Sequence, residues 1–70
     1  MNVNDAIETL KTMPGDEPVF ILRGKDSLSI PTIMAWCQLA RVALVPTNKI
    51  LSAIDIAENE FAHYPSRFPD

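Results

Sequence analysis

Pro18-Val19-Phe20-Ile21-Leu22-Arg23-Gly24-Lys25-Asp26 opens, after its proline, on four consecutive apolar side chains and closes on two cations separated by a glycine. Valine, phenylalanine and isoleucine favour the pleated surface of a strand, and Pro18 and Gly24 bound the run as turn residues do. A continuous apolar run, unlike an alternating one, asks for burial on both faces. Yet no second stretch of the chain combines β-branched composition with turn boundaries. A lone buried strand would leave main-chain donors and acceptors unpaired, at roughly 1–3 kcal/mol each. Residues 18–23 are therefore expected either to pair with the same segment of another subunit or to run as an extended connector. In both cases the fold class is mainly α: three helices, about 3–13, 30–44 and 47–63, with one extended segment or short strand (18–23) between the first two.

On the N-terminal side of that stretch, Val3, Ala6, Ile7, Leu10 and Met13 recur at three- and four-residue spacing and define one helix face. Asn2 is a suitable N-cap, Asp5 places negative charge in the first turn, and Pro14-Gly15 ends the helix. On the other side, Asp26, Ser27 and Ser29 are competent caps for the second helix, and Pro31 suits its first turn. Twelve of the sixteen residues from Ile30 to Val45 are apolar, the exceptions being Pro31, Thr32, Gln38 and Arg41. A helix apolar on almost every side is expected to be covered on almost every side. Sixteen residues reach only ~24 Å, so this is no membrane span. Two flanking helices and a short connector cannot cover it fully. The uncovered side, with Met34, Trp36, Cys37 or Leu44 as candidates, implies self-association.

Val45-Pro46-Thr47 breaks the run and begins the third helix. Ile50, Ile54, Ala57 and Phe61, thickened by Leu51, form its apolar stripe, while Asn48, Ser52, Asp55 and Asn59 face water. Pro65 and Pro69 bar a helical tail, so 64–70 is expected as an extended segment, its aromatics Tyr64 and Phe68 lying against the body or a neighbour. Residues 1–70 thus form one small helical domain, with no repeat and no linker.

Seventy residues bury only ~60% of the surface the unfolded chain exposes, so stability needs help from outside a single core. One cysteine excludes an intramolecular disulfide, and one cysteine with one histidine does not make a zinc site; no metal or other cofactor is expected. The net charge of −3 is unevenly spread: residues 20–50 sum to +3 and the segments on either side to −3 each. That pattern suits either neutralisation between packed segments or a local anion site. It does not suit duplex nucleic acid, whose affinity comes from many phosphate contacts. The polar, acidic N-terminus resembles no export signal, and a free thiol fits a reducing compartment, so the cytoplasm is the expected location.

Arg23-Gly24-Lys25-Asp26-Ser27 is the strongest chemical constellation. Two cations flank a glycine that lets backbone approach a ligand, and a helix N-terminus follows. Arg23, Gly24, Lys25 and Ser27 are thus candidate anion-binding residues, although the pattern is not a P-loop. Arg23 paired with Asp26 or with an acidic end segment, over a simple Gly24 turn, is the structural alternative. Phe20, Trp36, Tyr64 and Phe68 are candidates for an interface or for stacking on a ligand. Ser27, Ser29, Cys37 and His63 offer no spacing that sets a nucleophile beside a base, so no catalytic residue and no enzyme are expected. Cys37, beside Trp36 in the most apolar helix, reads as a core thiol.

The run Asp16–Arg23, the following Asp26, Ala35-Trp36 and the aromatic end of the last helix resemble small uncharacterised proteins of tailed phages and bacterial prophages, over roughly residues 3–64. The resemblance implies an accessory gene acting on the host and carries over no functional residue. Two functional expectations follow. One is a non-catalytic, homo-oligomeric protein-binding module that inhibits or modulates a host protein. The other is sequestration of an anionic small molecule, such as a nucleotide messenger, in an inter-subunit pocket.

Overall fold

Asn2 caps the first helix, α1 (Val3–Leu10), by a reciprocal pair of hydrogen bonds. The Asp5 N–H donates to the Asn2 side-chain oxygen at 3.0 Å and the Asn2 N–H donates to the Asp5 carboxylate at 3.3 Å. In this computed structural model, which describes residues 1–67, α1 stops three residues short of the expected Met13. There the Thr12 and Met13 N–H groups turn to the carbonyls of Thr9 and Leu10, a tighter i→i+3 closure. The Thr12 hydroxyl adds a 2.7 Å bond to the same Thr9 carbonyl.

Residues 18–23 are extended, and no strand forms among the described residues. The burial expected on both faces is not found: Val19, Phe20 and Ile21 are exposed, Phe20 at 88%, and only Leu22 is half-buried. Among the described residues no hydrogen bond engages the main chain of Val19, Phe20, Ile21 or Leu22. Within the single chain the segment is an extended connector, and exposed residues do not incur the burial penalty that argued for a second strand.

The second helix, α2 (Ser29–Val42), begins after Leu28. Asp26 organises this start: its carboxylate accepts the Leu28 N–H at 2.8 Å and its carbonyl accepts the Ser29 N–H at 3.0 Å. At the other end the Leu44 N–H reaches the Arg41 carbonyl and the Val45 N–H the Ala40 carbonyl, a Schellman closure. It places Leu44 at φ 59°, a left-handed conformation usually given to glycine. The third helix, α3 (Thr47–Asp55), follows Pro46 and continues through a π-helical turn (Ile56–Glu60) and a 3-10 turn (Phe61–His63), reaching the expected end.

The core lies between α2 and α3. Cys37, Ala40 and Ile50 are buried, with Ile33, Val45, Ala53 and Ile54 packed around them, and Ala57 is fully covered nearby. α2 meets α3 and both turns that extend it, whereas the backbone of α1 approaches no other helical element. An ion pair between the Met1 amino group and Glu60 ties the N-terminus to the body. Two expectations about which side chains are covered need correction. Leu51 does not thicken the α3 stripe but is exposed, because Ile50 and Ile54 already fill the contact with α2. Of the α2 residues expected on the open side, Cys37 is buried and Met34 half-buried, while Trp36 and the Leu44 that follows the helix are exposed.

Candidate functional site

The apolar face of α1, the connector, one edge of α2 and the end of the third helix enclose a groove of about 1030 Å³. This matches the upper range of small-molecule pockets. Val3, Ala6 and Leu10 reach it from α1, Met13 from the turn after it, and Phe20, Ile21 and Leu22 from the connector. Thr32, Ile33 and Trp36 form its α2 side, with Ala53, Ile56, Phe61 and Tyr64 opposite. The π-helical turn admits an extra residue and so swings the side chains after it around the helix axis. Ile56 and Glu60 of that turn, with Phe61 and Tyr64 beyond it, all line the groove.

Arg23, Gly24 and Lys25 stand at one end of the groove on a loop held from two directions. Ser29, fully buried, donates its hydroxyl to the Arg23 carbonyl at 2.8 Å. The C-terminal segment runs parallel to the loop: Arg67 donates its N–H to the Lys25 carbonyl, and Ser27 donates its own to the Arg67 carbonyl, both at 2.8 Å. These bonds hold the described part of the tail, as far as Arg67, to the loop. Gly24 is covered by the ring of Tyr64, and a Cβ there would stand 3.3 Å from the Tyr64 Cγ. The glycine thus serves the aromatic ring, which stacks on the backbone between the two cations.

The expected pairing of Arg23 with Asp26 does not form, because the Asp26 carboxylate is engaged at the start of α2. Among the described residues no carboxylate lies within ion-pair distance of Arg23 or Lys25. Among the described residues Arg41 and Lys49 form no ion pair with the acidic flanks either. Other parts of the expected anion cradle are occupied. The N–H groups of Asp26, Ser27, Leu28 and Ser29 all have protein acceptors, so the α2 N-terminus offers an anion few free donors. Ser27 faces Ser66 at 3.5 Å, away from the groove.

No protein-family model, curated protein or solved structure matches this chain. The geometry alone must speak for function. It gathers Phe20, Arg23, Gly24, Lys25, Trp36 and Tyr64 around one groove, leaves Ser27 outside it, and Phe68 lies outside the described residues. Sequence reasoning missed the part of α1, whose stripe reads as ordinary core until its partner is seen to be an open groove. It also missed Ser29, a competent cap that turns out to be the buried anchor of the cationic loop. Among the described residues no group of three or more His, Cys, Asp or Glu gathers as a metal site would require, and no helix is long and apolar enough to cross a membrane.

Proposed function

We propose that this chain is a non-catalytic, self-associating protein-binding module whose groove receives an apolar segment of a partner. The observation that carries this reading is the amount of large apolar surface left open around one groove: Phe20 at 88%, Ile21 at 69% and Trp36 at 46% exposure. Contiguous apolar surface rimmed by polar groups is characteristic of interaction sites. Aromatic anchors in a concave patch are the residues that dominate binding energy. The resemblance to prophage proteins supplies the setting: an accessory protein acting on a host factor in the host cytoplasm. The test is affinity capture from bacterial host lysate with the wild-type chain and with Phe20→Asp, a change at an exposed position that leaves the core intact. A partner held by the former and released by the latter supports the reading. Retrieval of the chain alone, or equal capture by both, removes it.

A second reading is favoured by a separate observation, the two cations on either side of Tyr64, which have no carboxylate partner among the described residues. An anionic ligand with an aromatic ring, such as a nucleotide, could set its charge between Arg23 and Lys25 and its ring against Tyr64 or Trp36. A ligand that binds only the folded chain raises its melting temperature, by about 2.7 kcal/mol of added stability at a hundredfold excess over Kd. In a thermal-shift panel of nucleotides, a rise for one member that vanishes in Arg23→Ala/Lys25→Ala supports sequestration. A flat panel, or a rise that the double variant keeps, excludes it.

A further inference from the structure

We infer that α2 packs antiparallel against α2 of a second copy about a two-fold axis beside Ala35. The inference rests on the self-association proposed above and specifies its geometry. Leu28, Thr32, Ala35, Leu39 and Val42 are all exposed in the single chain, Leu39 at 71% and Val42 at 84%. Their spacing alternates four and three residues, which places them in one straight seam, as the a and d positions of a heptad. No charged side chain interrupts the seam, and the core lies on the opposite side of the helix, at Cys37 and Ala40.

Two measures of size show that the chain has surface enough to spare for a second copy. The chain presents 5737 Å² of accessible surface, against about 4,400 Å² for a compact monomer of its 7.8 kDa. The excess of roughly 1,300 Å² exceeds the ~800 Å² that each partner contributes to a standard interface. The Cα radius of gyration, 12.9 Å, likewise exceeds the ~11 Å of a compact domain of this length. A self-complementary seam satisfies the isologous rule of a two-fold dimer, in which each contact occurs twice. Antiparallel pairing about Ala35 sets Leu28 against the second copy's position 42 and brings Thr32 within one residue of the height of its position 39. The small Ala35 at the centre lets the helices approach to ~8–9 Å. The same axis puts both Trp36 side chains on one side of the pair, so the two grooves open beside each other.

The experiment combines light scattering after size exclusion with site-directed cross-linking. The wild-type chain is expected as a dimer. Leu39→Glu is expected to keep its helicity, since the position is exposed in the single chain, and to weaken association by at least about a hundredfold. At an interaxial distance of ~8–9 Å the two Ala35 Cα atoms come within disulfide range, so Ala35→Cys cross-links on mild oxidation. Gln38→Cys does not, because its two copies are ~9 Å apart along the helix axis. Native Cys37, being buried, does not compete. A wild-type dimer that Leu39→Glu leaves intact, or an Ala35→Cys variant that fails to cross-link, overturns this interface while leaving self-association standing. A wild-type monomer at millimolar concentration removes both.

Discussion

Ile50→Ala should lower the thermal unfolding midpoint by about 10–30 °C and leave much of the chain unfolded at its working temperature. The reason is the make-up of the core. Three of the buried apolar residues, Cys37, Ala40 and Ala57, are small, and Ile50 is the one large side chain among them. A chain of this length has a total stability of about 3.5–10 kcal/mol. Removing a buried isoleucine costs ~2–5 kcal/mol through lost transfer energy and the cavity left behind. Ile50→Val, which deletes one methyl group, should cost only ~0.5–1.5 kcal/mol. Leu51→Ala is the internal control: its side chain is 59% exposed and its neighbour carries the packing, so the change should stay within about 0.5 kcal/mol. Denaturant titration of the three variants separates these magnitudes. Equal losses at positions 50 and 51 would mean that α3 is rotated from the orientation described.

The contrast between Ile50 and Leu51 also shows what the sequence could and could not disclose. Where an element has one apolar face, its orientation was legible: the Ile50–Ile54–Ala57 stripe faces α2, and the polar Asn48, Ser52, Asp55 and Asn59 face water. Helix starts were legible at Asn2 and near Pro46, where the cap chemistry is local. In α2, by contrast, apolar residues occur on nearly every side, so periodicity cannot say which side is covered. The small residues Cys37 and Ala40 won the contact with α3 because they permit close approach. The larger Leu39 and Val42 were left outside, and the heptad spacing they share with Leu28 was hidden by their apolar neighbours. The connector failed for a different reason: strand composition is a preference for a covered, pleated surface, and a chain with no partner strand cannot honour it. At the groove, the aromatic and cationic residues were legible by type. That Asp26 would cap α2 rather than neutralise Arg23 depends on a turn geometry that composition does not fix.

A hundredfold rise in protein concentration, from about 1 to 100 µM, should raise the apparent melting temperature by about 6–11 °C. If the folded species is a dimer and the unfolded one a single chain, each tenfold in concentration adds half of ~1.4 kcal/mol per chain. The hundredfold range therefore adds ~1.4 kcal/mol per chain, and a domain of this size gains ~4–8 °C per kcal/mol. The effect follows from the open seam of α2, which a second copy can cover and the single chain does not cover itself. Calorimetry at several concentrations reads the slope directly, and Leu39→Glu should flatten it. A wild-type midpoint independent of concentration, with single-chain mass by light scattering, would show that the folded chain keeps its apolar surface open to water. Dimerisation would then be lost as its source of added stability, and the groove would have to work within one copy.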